Sequence, residues 1–148
     1  IFLSLEKINK KFKKRIIYPM HPRTLSKINN VKIPKSIEII KPLGFFDFTK
    51  LEKNAFCLIT DSGTVPEESL YFKVPSVTIR ETTERPEFIE AGLNIISGLE
   101  PNVILRSVSI ITSNEIKGEW DPNFGDGQTS TKVLNIITGK FNRIKYLE

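Results

Sequence analysis

Thr60-Asp61-Ser62-Gly63-Thr64-Val65-Pro66-Glu67-Glu68 follows the apolar run Phe56-Cys57-Leu58-Ile59 and leads into residues with helical spacing. Eleven residues further on, Arg80-Glu81-Thr82-Thr83-Glu84-Arg85-Pro86-Glu87 repeats the arrangement after Ser76-Val77-Thr78-Ile79. Each run therefore reads as the junction between a β-strand and the helix after it. In an open α/β sheet, the carboxyl edge of the strands and the amino ends of the helices are where ligands bind and where unpaired N–H groups meet phosphates. The two runs mark a candidate nucleotide site.

Outward from these junctions, helix and strand patterns alternate. Phe2, Leu3, Leu5, Ile8 and Phe12 recur at helical spacing, and Arg15 to Tyr18 reads as a short β-branched strand stopped by Pro19. After the loop His21-Pro22-Arg23-Thr24, the pattern predicts a short helix from about Leu25 to Asn29 and a strand from Ser36 to Ile40. Helix Phe45 to Asn54, strand Phe56 to Thr60, helix Pro66 to Phe72 and strand Ser76 to Ile79 follow. Helix Pro86 to Ala91, strand Asn94 to Ile96 and helix Pro101 to Thr112 complete the series. Repeated βα units imply a Rossmann-like, doubly wound parallel sheet covered on both faces. Residues 1–113 are expected to form this domain, truncated at its amino end because the first pattern is already a helix. Residues 114–148 are expected to form a turn-rich segment and a helix from about Thr129 to Thr138 that packs back on the domain or on a missing partner domain.

With 148 residues and 39% hydrophobic content, the chain can bury one core. The formal charge of +5 raises the question of nucleic acid, but Lys7, Lys10, Lys11, Lys13, Lys14 and Arg15 fall in one amphipathic stretch. Such a run is usually a solvated helix face, and little beyond Phe12 offers a base-stacking platform, so no nucleic-acid partner is expected. No apolar stretch reaches the roughly 20 residues of a spanning helix, and no membrane partner is expected. The lone cysteine, Cys57, sits in an apolar run and excludes a disulfide within the chain, which fits a reducing cytoplasm.

Residue types in the first run have physical tasks. Asp61, Ser62 and Thr64 can accept from helix N–H groups, and Gly63 permits a tight turn and close backbone approach, so together they can cradle a phosphate. Glu68, near the start of the helix, can accept from two vicinal ribose hydroxyls, while Glu67 points about 100° away around the helix. Ordinary helix capping explains the same residue types equally well. In the second run, Arg80 and Arg85 can pair with Glu81, Glu84 or Glu87, and Pro86 and Glu87 suit a helix start. Thr82 and Thr83 are not needed for capping.

His21 is the only histidine, and it follows a strand on the same predicted edge, where an imidazole can bind a phosphate oxygen or move a proton. A structural role is the alternative. One His and one Cys cannot make a dedicated metal site, so neither a metal nor a cofactor is expected. Ser62 lacks the preceding glycine of a hydrolase nucleophile elbow.

Tyr18-Pro19-Met20-His21-Pro22, Pro42-Leu43-Gly44-Phe45-Phe46-Asp47-Phe48, the two strand-end runs and Gly125-Asp126-Gly127-Gln128 stand in an order that resembles the non-hydrolysing UDP-N-acetylglucosamine 2-epimerases. The resemblance covers about residues 1 to 138 and matches the carboxyl-terminal half of that family's two-domain, glycosyltransferase-B-type fold. It implies a histidine on the UDP diphosphate at His21 with a catalytic part in the departure of UDP. It further implies a phosphate cradle at Ser62, Gly63 and Thr64, a ribose carboxylate at Glu68 and an aromatic residue beside the uracil at Phe48. Arg80, Thr82, Thr83, Glu84 and Arg85 correspond to the loop lining the interdomain cleft. Pro66 departs from the family pattern, in which glutamine is usual.

The implied chemistry is elimination of UDP with removal of the C2 proton, giving a 2-acetamidoglucal, followed by re-addition that inverts C2. In the family the acid and base at the sugar belong to the amino-terminal domain, so the resemblance implies an isomerase only in the full-length protein. A UDP-sugar substrate, the missing amino-terminal domain and a homodimer of the full-length protein are the implied partners. Asp61 to Val65, the His21-Pro22-Arg23-Thr24 loop and Gly44 to Asp47 lean toward relatives acting on UDP-deoxy-amino sugars, including those that make UDP-N-acetyl-L-fucosamine for polysaccharides. Gly125 to Gln128 leans toward the enzymes acting on UDP-N-acetylglucosamine. A glycosyltransferase of the same architecture and a noncatalytic nucleotide-sugar module remain open.

Overall fold

The computed structural model describes residues 1–28, 31–113 and 125–139. The chain forms two compact units, Ile1–Gly118 and Glu119–Glu148. The first carries helix α1 (Phe2–Phe12), strand β1 (Ile16–Pro19), α2 (Pro22–Lys27), β2 (Ile37–Ile40), α3 (Phe45–Lys53) and β3 (Leu58–Thr60). It continues through α4 (Val65–Phe72), β4 (Ser76–Thr78), α5 (Glu87–Glu90), β5 (Asn94–Ile96) and α6 (Pro101–Ser113). The second unit carries α7 (Thr129–Ile137).

Every strand pairing described is parallel, as the βα repeats predict. The hydrogen bonds form two ladders, β1-β2 and β3-β4-β5. In the larger one Thr60 pairs with Thr78 and Thr78 with Ile96, which brings three strand carboxyl ends level. Three loops thus leave from one edge, and the two charged runs are two of them.

The core explains why the sheet holds this shape. Val77 at the centre of β4 is fully buried with Ile8 of α1 and Ile104, Val108 and Ile111 of α6. Each such side chain contributes about 1.5–3 kcal/mol on burial. Lys7 Nζ donates to Asn102 Oδ1 at 2.6 Å and Lys11 Nζ to Ser109 Oγ at 2.7 Å, so part of the basic run clamps α1 to α6. Ser69, Ser76, Thr78 and Asn94 are buried beside this apolar core. Asn94 Nδ2 donates to Ser76 Oγ at 2.8 Å and to Thr78 Oγ1 at 2.9 Å, and Ser69 Oγ lies 2.9 Å from Ser76 Oγ. Cys57 packs against the core, where burial pushes its thiol up to about 12.

The structure corrects one helix. The segment after His21 is helical from Pro22 to Lys27 and not from Leu25 to Asn29. Pro22 supplies a preset φ and needs no donor at the first turn, and His21 caps the helix, so helix formation starts three residues earlier than the apolar pattern indicates. Asn29 itself lies outside the described residues. Among the described residues, no helix is long and apolar enough to cross a membrane.

In the second unit, Gly127 has φ +76°, a conformation that favours glycine. Asp126 Oδ1 accepts from the Gln128 N–H at 2.9 Å and Oδ2 pairs with Lys132 at 3.0 Å, which ties the Gly125-to-Gln128 turn to the first turn of α7. These two partners hold the Asp126 carboxyl below the usual range.

Candidate functional site at the strand carboxyl edge

At the end of β3 the chain folds on itself through short polar contacts. Thr60 Oγ1 accepts from the Ser62 N–H at 2.9 Å, and Ser62 Oγ accepts from the Thr64 N–H at 3.3 Å. Ser62 Oγ and Thr64 Oγ1 lie 3.1 Å apart, so when Thr64 donates, the Ser62 proton is available to a ligand. Thr64 occupies the N-cap of α4; its own side chain makes no cap hydrogen bond, and its N–H is taken by Ser62 Oγ. The Glu67 and Glu68 N–H groups turn back to the Thr64 carbonyl at 2.9 and 3.3 Å, and the positive end of the helix dipole faces the loop. Pro66 stands buried in this first turn and, lacking an N–H, offers no donor.

Gly63 faces the second run. A β-carbon at this position would stand 3.9 Å from Arg80 Nη1 and 4.0 Å from Glu84 Oε2, so a cation and a carboxylate border the space above the glycine. Arg80 Nη1 and Glu84 Oε2 are 3.7 Å apart. Arg85 does not pair only within its own loop: Nη2 reaches Glu67 Oε1 on α4 at 3.1 Å, and Nη1 lies 3.6 Å from Glu87 Oε1. Glu81 turns the other way, its carboxylate 3.2 Å from where a β-carbon on Gly98 would stand. Thr83 Oγ1 accepts from the Arg85 N–H at 3.1 Å, which shapes the loop, and Thr82 is exposed.

His21 follows β1 and is exposed. Its Nδ1 accepts from the Arg23 N–H at 3.1 Å as the cap of α2. An imidazole whose Nδ1 is an acceptor carries its proton on Nε2, so His21 presents a donor. Tyr18 stands on β1, three residues before His21. Burial raises the pKa of its hydroxyl, and the charge of Asp61 raises it further. Phe48 is half-buried on α3.

Sequence reasoning missed one residue. Glu52 is 2% exposed, and neither carboxyl oxygen accepts a hydrogen bond from a described donor. Burial first, then the charge of Glu68 and a hydrogen bond with it, push the Glu52 carboxyl up to about 7. Two carboxylates repel, so the bond between them exists only when one holds a proton. The signal was in the spacing: Phe48, Leu51 and Glu52 stand at i, i+3 and i+4, which places the glutamate on the inward stripe of α3.

A surface cleft of about 310 Å³ lies elsewhere, lined by residues such as Lys13, Lys14, Arg15 and Lys35. These residues precede β1 and β2, so the cleft lies toward the amino ends of the strands, away from the edge where ligands bind in open sheets.

The family model described as UDP-N-acetylglucosamine 2-epimerase matches residues 1–138. A UDP-N-acetylglucosamine 2-epimerase of Methanococcus maripaludis is 42% identical over 144 residues, covering 93% of this chain and 38% of that protein. The crystal structure of the Methanocaldococcus jannaschii UDP-GlcNAc 2-epimerase in complex with UDP-GlcNAc and UDP superimposes with a TM-score of 0.83 at 36% identity, over 92% of this chain and 39% of that one. The Rickettsia bellii UDP-N-acetylglucosamine 2-epimerase superimposes with a TM-score of 0.83 at 31% identity, over 99% of this chain and 43% of its own. The chain thus spans about 38% of the length of the M. maripaludis relative.

Proposed function

This chain belongs to the UDP-N-acetylglucosamine 2-epimerase family, and from that premise we propose that it supplies the UDP-binding half of a 2-epimerase acting on UDP-N-acetylamino sugars. The observation that carries this reading is the meeting of two strand-end runs at one edge. The amino end of α4 and the Ser62 hydroxyl adjoin Gly63, whose open face lies toward Arg80.

In this reading the diphosphate sits over Gly63, receives hydrogen bonds from Ser62 and the start of α4, and takes the Nε2 proton donor of His21. Glu68 accepts from the ribose hydroxyls, and Phe48 flanks the uracil. The C1–O bond of the sugar breaks while C2 loses its proton, so the departing UDP gains negative charge. Donors already fixed in place stabilise that charge without reorganising. Re-addition of UDP at C1 with protonation at C2 from the opposite face inverts C2. The acid and base that act on the sugar are assigned to a separate amino-terminal domain of the full-length protein. Arg80, Thr82, Thr83, Glu84 and Arg85 face the cleft between the two halves.

The intact protein, incubated in deuterium oxide with UDP-N-acetylglucosamine, should incorporate deuterium at C2 of the sugar. The same measurement with UDP-N-acetyl deoxy-amino sugars assigns the substrate within the family. Absence of exchange with every such sugar would overturn the epimerase reading and leave nucleotide-sugar binding.

A further inference from the structure

Helices α3 and α4 pack on each other, and where they meet Glu52 lies buried against Glu68. We infer that Glu52 is a positioning residue for UDP-sugar binding: it holds a proton on its buried carboxyl and donates it to Glu68, fixing the carboxylate that receives the ribose. The inference rests on the assignment of Glu68 to the ribose, and it adds a residue and a proton to that assignment.

Two observations carry it besides the packing. Glu52 is almost wholly removed from water, and both of its oxygens lack a hydrogen-bond donor. An ionised carboxylate there would be uncompensated, because no described ion pair includes it. The charged group that reaches it from α4 is Glu68, while the neighbouring Glu67 is engaged by Arg85. On its own helix the charged groups are Asp47, Lys50 and Lys53, the latter two in the last turn. A proton shared with Glu68 resolves the conflict and gives a charge-assisted O–H···O bond. That bond takes one direction of approach to Glu68 from the protein side and leaves the remaining acceptor capacity to a diol. As the Glu52 carboxyl titrates near neutral pH, its loss of the proton turns a fixed donor into a repelling charge.

The experiment is calorimetric binding of UDP-N-acetylglucosamine to the intact protein between pH 6 and 8.5. This ligand holds both phosphates as diesters, so it does not titrate in the range. The wild type should lose about tenfold in affinity as pH rises, and Glu52→Gln, which keeps a donor but cannot ionise, should hold the pH 6 affinity to within about twofold. Every other titrating group is common to both proteins, so the difference between the two profiles isolates Glu52. Glu52→Met, with no donor, should bind about tenfold more weakly at every pH.

Parallel profiles for wild type and Glu52→Gln would overturn the inference, whether or not Glu52→Met folds. Glu68→Gln separates this from the reading beneath it. If Glu68→Gln weakens binding while both Glu52 variants match the wild type, the ribose assignment stands and the role of Glu52 is wrong. Wild-type affinity in Glu68→Gln would instead overturn the ribose assignment itself.

Discussion

Arg85 Nη2 meets Glu67 Oε1 at 3.1 Å, so the loop after β4 is tied to the helix after β3. The ion pair joins the two strand-end runs into one surface. Its side chains stay 52% and 36% exposed, which keeps its energetic value small. A double-mutant cycle with Arg85→Gln and Glu67→Gln should give a coupling of about 0.2–1 kcal/mol in low salt that falls as salt is added. A coupling above about 2 kcal/mol, insensitive to salt, would mean that the pair is a structural strut and that the loop is not held loosely.

Two glycines separate binding from folding. Gly63 has room for a β-carbon, whereas Gly98 has φ +64° and faces the Glu81 carboxylate at 3.2 Å. Gly63→Ala should leave the unfolding free energy within about 1 kcal/mol of wild type while weakening UDP binding, because the new methyl group would meet Arg80 and Glu84 only at ordinary contact distance but would stand in the space of the ligand. Gly98→Ala should lower stability by about 1 kcal/mol or more. Denaturant titrations and calorimetry on the same samples check both, and a destabilised Gly63→Ala with normal binding would argue against a diphosphate above that residue.

His21→Asn keeps a good N-cap for α2 but removes the Nε2 donor. Stability should be nearly unchanged, and UDP affinity should fall about ten- to a hundredfold, the worth of a hydrogen bond to a charged group. If affinity is retained, His21 is a capping residue and no more.

The raised Glu52 carboxyl also sets a pH dependence of stability. The group moves from 4.5 in the unfolded chain to about 7 in the fold, so the folded state binds more protons across that interval. Stability should therefore fall as pH rises from about 4.5 to 7, by on the order of 3 kcal/mol in total, and level off above it. Glu52→Gln should lack this component. Its unfolding free energy should match the wild type near pH 4.5 and exceed it by the same margin above pH 7. Equal stability of the two proteins at pH 8 would show that Glu52 does not resist ionisation.

Asn94 donates to both Ser76 and Thr78 inside the sheet. Asn94→Leu should cost about 1–3 kcal/mol in urea denaturation, because two buried hydroxyls lose a partner and the leucine cannot replace it. A neutral substitution would mean that the serine and threonine find other partners.

The parallel ladders, the alternation of helix and strand and the position of both charged runs at strand ends were legible in the residues from Phe45 to Ile96. Hydrophobic periodicity and the turn residues act locally, so they are visible one segment at a time. The start of α2 was misread because a cap made by His21 Nδ1 and a preset Pro22 outweighed the apolar pattern. Capping was an open alternative for Ser62 and Thr64 because the same hydroxyls serve a helix end or a ligand; in the fold Ser62 Oγ takes the Thr64 N–H, while the Thr64 side chain makes no cap bond.

The sequence by itself determined the class of fold and the family, because both follow from the order and spacing of residues along the chain. It did not determine which charges meet. That Arg85 chooses Glu67, that Gly63 opens toward Arg80 and that Glu52 is buried against Glu68 depend on which helices lie side by side. Coulomb energies and desolvation vary with distances through space, and residues sixteen to eighteen positions apart acquire those distances only when the sheet brings their elements together.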